Sequence, residues 1–330
     1  MIIIHKNYDE LFSVENILIA WQRFRRGKSN KKDVINFEAH LEDNLFSLSG
    51  DLRSHIYRHS AYGYFQIFDN KERDIYKAQV RDRIIHQIIY DHLSEIFELE
   101  FIADSYASRI GKGQYSAINA LKYFVKLISG KNRRQCFILK CDVKKYFDNI
   151  DQVILLNLIK TKNIDGEVLK IIMEVIYSFL SNVGMGKGIP LGNITSQIFA
   201  NIYLNVLDQY VKNELKCRFY IRYNDDFVII TDNNKKLKEI REKIIIFVQN
   251  KLLLEIPLAK TSIRKISWGV DFLGFNVLKG AVLLRDKTKQ KIYSKLSEKN
   301  INSYLSILKH CNSYNLTKKV LAMATPREIC

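Results

Sequence analysis

The sequence predicts an α+β fold, and three observations carry that reading. Two apolar runs with strand character, Phe219-Tyr220-Ile221 and Val228-Ile229-Ile230-Thr231, flank the polar step Asn224-Asp225-Asp226. A short polar step between such runs is a hairpin signal. A third apolar run, Cys136–Cys141, leads directly into Asp142. Much of the remaining length has helical spacing, as with Leu11, Phe12, Ile17, Leu18 and Trp21 within residues 8–26.

Composition sets limits on what the chain does. Its 330 residues, 47% hydrophobic, suffice for a real core and for two or three lobes. Lys and Arg number 52 against 35 Asp and Glu, a formal charge of +17. Such an excess points to a polyanion, most simply nucleic acid, with an anionic membrane as the competing reading. No apolar run reaches the roughly 18 residues a bilayer crossing needs. The start, Met1–His5, is too short for a secretory signal. The five cysteines are scattered and none forms a Cys-x-x-Cys pair, which argues against a zinc site and a disulfide framework. A reducing, cytoplasmic setting is expected. There are no internal repeats and no low-complexity linkers.

In chain order, residues 1–60 read as mostly helical. Arg23, Arg25 and Arg26 end one helix, either as a solvated helix end or as a phosphate contact. Residues 64–68 and 75–78 read as two strands joined by a charged turn at Asp69-Asn70. A helix follows through Phe97, with Arg81 and Arg83 at its start. These are candidate phosphate-binding cations, the other reading being ion pairs with Asp82 or Asp91. Ser108-Arg109-Ile110-Gly111-Lys112-Gly113 is a glycine loop with two cations, suited to phosphate but lacking Walker A spacing. A helix over 116–127 and a basic turn, 131–134, come next.

After the strand ending at Asp142, Asp148 and Asp151 read as helix N-caps. Helices span roughly 152–182. Gly184 to Gln197 is a glycine-rich loop running into a helix over about 195–213, which Asn193, Thr195 or Ser196 would cap. A helix over 235–253 follows the hairpin. Lys260-Thr261 closes a turn, and 270–276 is a strand broken by Gly274. From 276 to 330 there are eleven Lys and Arg against three Asp and Glu, interleaved with Tyr293, Tyr304 and Tyr314. That tail reads as basic helical pieces suited to a duplex, or as a solvated bundle.

Adjacent acids repel, so a hairpin that needed only a turn would more cheaply use Asn-Gly. Asp225 and Asp226 alone would still be a polar turn. Asp142 at a second strand end makes the arrangement chemical, because clustered carboxylates suit two Mg²⁺ ions and phosphoryl transfer.

Seven blocks in order give the chain a family resemblance from about residue 60 to 320. They are Arg81-Asp82-Arg83, Ser108 to Gly113, Asp142 to Phe147, Pro190-Leu191-Gly192, Tyr223-Asn224-Asp225-Asp226, Leu258-Ala259-Lys260-Thr261 and Phe272-Leu273-Gly274-Phe275. The chain resembles a reverse transcriptase of the group II intron-like lineage. The phrase Ile189 to Gln197, with Ser196-Gln197, is most similar to the diversity-generating retroelement enzymes. Bacterial antiphage-defence reverse transcriptases share much of the pattern, and a non-catalytic RNA-binding scaffold is the remaining alternative.

The resemblance implies a right-hand polymerase. Fingers would cover 1–135, with an insertion at about 157–190. An antiparallel palm would cover 136–275, and a basic helical thumb 276–330. Asp142, Asp225 and Asp226, with the Val143 carbonyl, would hold two Mg²⁺ ions, Mn²⁺ being a possible substitute. Arg83, Arg109 and Lys112 would meet the triphosphate, and Phe147 would lie under the sugar and exclude a 2′-hydroxyl. Leu191 and Gly192 would border the nucleotide, and Lys260 would protonate pyrophosphate. Tyr223, Ser196, Gln197, Phe272, Leu273 and Gly274 would touch template or primer. The partners implied are template RNA, the cDNA or primer strand, deoxynucleoside triphosphates and a small basic accessory protein oligomer, in a bacterial or phage-encoded setting. Two departures stand out. Leu191 replaces a Gln common among relatives, which implies weaker checking of base pairs, and Asn224 is polar where relatives often carry a small apolar residue.

Overall fold

The computed structural model describes residues 6–69, 71–130, 133–297 and 300–324. Met1–His5, Asn70, Lys131, Asn132, Glu298, Lys299, Arg327, Glu328 and Cys330, all used above, lie outside the described residues. The chain divides into two compact units. One comprises Met1–Ile102, Lys144–Leu207 and Phe247–Glu255, and the other Ala103–Val143, Asp208–Ile246 and Ile256–Cys330.

The first unit is mainly helical. Helix Val14–Arg25 buries Ile17, Ala20, Trp21 and Phe24 and packs against helix Val80–Phe97. The Ser13 side chain accepts from Asn16 N and fixes where the first of these begins. Three of the cations read as either phosphate contacts or ordinary helix-end charges stand beside carboxylates. Arg23 lies 2.7 Å from Asp91, Arg25 2.7 Å from Glu38 and Arg81 2.5 Å from Asp51. The only strands here, among the described residues, are β1 (Gly63–Asp69) and β2 (Lys71–Lys77), an antiparallel hairpin in register from Gly63↔Lys77 to Asp69↔Lys71. Asp151 caps helix Gln152–Lys160, accepting from Val153 N and Ile154 N. Asp148 does not cap a helix. It lies inside a short helix, Tyr146–Asn149, whose buried Tyr146 donates its hydroxyl to Ala200 O at 2.6 Å.

The loop before helix Ile194–Gln209 is tied down onto β2. Tyr76 N donates to Leu191 O (3.0 Å), and Asn193 accepts from Ala78 N while donating to Tyr76 O. Ser196 Oγ donates to Pro190 O at 2.6 Å. The loop runs so close that a Cβ on Gly192 would sit 2.8 Å from Ile75 Cγ2, and Gly192 has φ +116. Both sterics and backbone therefore demand glycine.

The second unit holds two antiparallel sheets. β3 (Phe137–Asp142), β4 (Tyr220–Tyr223), β5 (Asp226–Thr231) and β6 (Thr261–Lys265) form one, in the order β4-β5-β3-β6. The sequence reading ended at a turn where β6 lies. As an edge strand it tolerates the run Thr261-Ser262-Ile263-Arg264-Lys265, which has little apolar alternation to reveal it. β7 (Val270–Phe272), β8 (Phe275–Leu278) and β9 (Ala281–Leu284) form the other sheet. The expected broken strand is thus a hairpin turned at Leu273-Gly274, with φ +50 and +81. Helices Asp286–Lys295, Ile301–Leu308 and Tyr314–Ala324 follow. A single core joins Ile138 and Val228 of the first sheet, Phe275 and Val277 of the second, and Ile292 and Leu308 of these helices. No helix among the described residues is long and apolar enough to cross a membrane.

Gly192→Ala is expected to destabilise the protein by about 1–3 kcal/mol, the range for overpacking and for a strained positive φ. A urea titration checks this, and an unchanged midpoint would show that the loop can relax away from Ile75.

Candidate active site

Strand register builds the site in the second unit. β3 and β5 pair antiparallel with Asp142 directly opposite Asp226. Directly paired residues project from the same face, with Cβ atoms roughly 4.5–5.5 Å apart. β4 and β5 close at the pair Tyr223↔Asp226, so Asn224 and Asp225 make a two-residue turn. Asn224 takes φ +52, a left-handed conformation that asparagine tolerates better than most residues. Asp225 O accepts from Val143 N at 3.4 Å, joining the turn to the residue after Asp142. Asp142 is thus brought to the adjacent pair Asp225 and Asp226 from a distant part of the sequence.

The electrostatics follow from that crowding. Burial, then the charge and hydrogen bond of Asp142, push the Asp225 carboxyl up to about 6. Burial pushes Asp226 up to about 7 against the opposing pull of Lys140, with Asp225 and Asp142 adding to the rise. Two ammonium groups stand on the acids. Lys260 Nζ is 2.6 Å from Asp142 Oδ2 and 3.5 Å from Val143 O. Lys140 Nζ is 3.2 Å from Asp226 Oδ2 and donates to Asp271 O at 2.7 Å. Lys140 escaped the sequence reading although it lies two residues before Asp142, and so on the same strand face.

Among the described residues, no group of three or more His, Cys, Asp or Glu side chains is arranged, as it stands, to hold a metal ion. The donor chemistry nevertheless fits a hard divalent cation, since three carboxylates and the Val143 carbonyl are all oxygen ligands. Asp226 Oδ1 is buried and, among the described residues, has no hydrogen-bond partner. A cation would take the places that Lys140 and Lys260 now fill.

The other candidate residues divide between the units. In the first, Phe147 and Leu191 line a cavity of about 540 Å³ together with Gln66, Arg73, Asp74 and Asp148. Arg73 is the arginine of that cavity, and nothing in the sequence set it apart from its charged neighbours Lys71 and Glu72. Arg83 lies elsewhere in the unit, paired with Asp33 and placed 4.8 Å over the Phe24 ring. Ser196 is buried and Gln197 exposed on the helix that follows Gly192. In the second unit, Arg109 donates to Ser105 O and Lys112 to Ala103 O, both at 2.8 Å. Tyr223 and Leu273 pack against the core, Phe272 is within it, and Gly274 O accepts from Arg285 N. Gln114 holds Leu273 O at 2.6 Å.

Comparison with known proteins bears on this arrangement. A family model described as reverse transcriptase (RNA-dependent DNA polymerase) matches residues 69–277. Protein YkfC of Escherichia coli (strain K12) is 24% identical over 247 residues, 64% of each chain. The group II intron-encoded protein LtrA of Lactococcus lactis subsp. cremoris is 26% identical over 263 residues, 59% of this chain and 43% of that one. The chain therefore spans less than two thirds of either relative. Among solved structures, telomerase from Candida albicans in complex with a fragment of telomeric RNA superposes with a TM-score of 0.54 at 13% identity, covering 75% of this chain and 52% of that one. A truncated apo telomerase from Candida tropicalis gives 0.51 at 16%, covering 74% and 60%. These likenesses show the fold, the α+β class of right-hand polymerases.

A carboxyl raised to about 6 binds a proton in the folded protein that the unfolded chain has already lost. Its ionisation therefore costs stability as pH rises from about 4, the ordinary aspartate value, through 6. In buffer free of divalent ions, Asp225→Asn should stabilise the protein by about 1–2 kcal/mol at pH 8, with the gain disappearing near pH 4. Denaturation at both pH values checks this. An equal effect at the two would mean that neither burial nor Asp142 raises the Asp225 carboxyl.

Proposed function

Because the chain belongs to the reverse transcriptase (RNA-dependent DNA polymerase) family, we propose that it is an RNA-directed DNA polymerase that copies a template RNA into cDNA. The observation that supports this most is the register that sets Asp142 across from Asp226 and beside the Asp225 turn. Asp142, Asp225, Asp226 and the Val143 carbonyl are the residues that would hold two Mg²⁺ ions. When bound, such ions lower the pKa of a primer 3′-hydroxyl and neutralise the triphosphate. Lys260, already on Asp142, is positioned to give a proton to the departing pyrophosphate. Phe147 lines its cavity with an aromatic ring that would exclude a ribose 2′-hydroxyl. Arg109 and Lys112 now donate to the carbonyls of Ser105 and Ala103, and Arg83 pairs with Asp33; a guanidinium has five donors and an ammonium three, so these contacts do not preclude a phosphate. The lobes read from the sequence, fingers 1–135, palm 136–275 and thumb 276–330, remain our proposal for the working division of the chain.

The finer role we propose is error-prone copying within a diversity-generating retroelement, alongside a small basic accessory protein. Two sequence features support it: the Ile189 to Gln197 phrase and leucine at position 191. Leu191 lines the cavity with an apolar side chain where a glutamine could test base-pair geometry through hydrogen bonds.

Extension of a primer on an RNA template with all four deoxynucleotides is expected for the wild type. Asp225→Ala or Asp226→Ala should lower it on the order of 10³-fold or more. Undiminished extension by either variant would end the polymerase assignment. Sequencing the products tests the finer role. Leu191→Gln should reduce misincorporation roughly 2- to 10-fold, the worth of one added hydrogen bond. An unchanged error rate would remove Leu191 as the source of infidelity.

A further inference from the structure

Arg222 is the largest fully buried side chain among the described residues. A guanidinium removed from water is costly unless its donors are met. Here they are met by a dedicated set of partners. Nε donates to both oxygens of Asp208, at 2.8 and 2.9 Å. Nη2 donates to Asp208 Oδ2 at 2.7 Å and to Ser105 Oγ at 3.0 Å. Asp208 is itself wholly buried and also accepts from Tyr220 OH at 2.6 Å. The backbone of Arg222 is clamped too. Its N donates to Asp104 O and its O accepts from Tyr106 N, both at 3.0 Å.

A buried ion pair alone is a poor reason to keep two charges in a core, because well-packed apolar residues often serve stability as well. What an apolar replacement could not supply is the bond from Nη1 to Asn224 O at 3.2 Å. Asn224 is the turn residue held at φ +52, immediately before Asp225. Lysine, with one terminal nitrogen, cannot grip Asp208 bidentately and reach that carbonyl as well.

We propose that Arg222 is the positioning residue of the acid site, holding the Asn224 turn in its left-handed conformation so that Asp225 faces Asp142. This inference rests on the polymerase reading of those acids. Asp208 and Ser105 aim the guanidinium, and the Asn224 carbonyl receives the effect.

The test uses the full chain with Arg222→Lys, Asn224→Gly and the double variant. Primer extension is measured against Mg²⁺ concentration, and Mn²⁺ binding is measured without nucleic acid by the loss of the free-ion paramagnetic signal. Arg222→Lys should raise the Mg²⁺ midpoint and weaken Mn²⁺ binding on the order of 10-fold, the worth of one charge-assisted hydrogen bond. The KM for deoxynucleotide should stay unchanged. Asn224→Gly in the Arg222→Lys background should recover much of both, because glycine adopts positive φ without the restraint. Unchanged metal responses in Arg222→Lys would overturn the proposal. So would a loss that glycine fails to restore, which would make the pair a strut only. Should Arg222→Lys not fold, Ser105→Ala removes one partner of Nη2 and leaves the Asp208 fork. A smaller shift in the same direction then supports the proposal, and none overturns it. If the wild type does not extend primers and Asp225→Ala changes nothing, the polymerase reading falls, while the Mn²⁺ titrations still decide the role of Arg222.

Discussion

The pairing of Asp142 with Asp226 across two antiparallel strands is the constraint on which the rest of the site depends. Side chains in a sheet alternate faces with a period of two, so a slip of one residue would send one acid to the opposite side. The strands cannot easily slip. Ile138, Leu139 and Cys141 on β3, and Phe227 and Val228 on β5, are almost entirely inaccessible to water. Any shift would expose a share of this apolar surface, at about 25 cal/mol for each Å². Core packing thus sets the register, and the register sets the spacing of the charges.

That arrangement works against its own stability. Burial, with neighbouring carboxylate charge added, raises the proton affinity of Asp225 and Asp226, and Lys260 and Lys140 offset only part of that rise. The supporting structure is correspondingly firm. The central sheet is flanked by a second sheet and three helices through one shared core, and Asn224 is gripped from within by a guanidinium. Sites that gather like charges are expected to lean on a scaffold that over-determines them.

The elements that bring the three acids together were the most legible in the sequence. Apolar runs broken by Asp142 and by Asn224-Asp225 identify strand ends and a hairpin, because carboxylates seldom sit there without reason. Helix starts with a plain cap, such as Asp151, could be read locally as well. What could not be read depends on distant partners. Arg83 on Asp33 and Arg81 on Asp51 are pairs separated by 50 and 30 residues, and no local pattern distinguishes such arginines from phosphate ligands. β6 was hidden because an edge strand needs only one apolar side, and β9 because Ala281–Leu284 is a short run within a highly basic tail. Lys140 was legible in principle from strand periodicity alone, whereas nothing local marks Arg222 as interior.

Lys140 has a mechanical consequence. Its single ammonium spans a carboxylate of the first sheet and a main-chain oxygen of β7 in the second. Neutralising Asp226 would remove one of the two partners that hold this ammonium and leave the β7 carbonyl bond, so the charge of the acid bears on a contact between the two sheets.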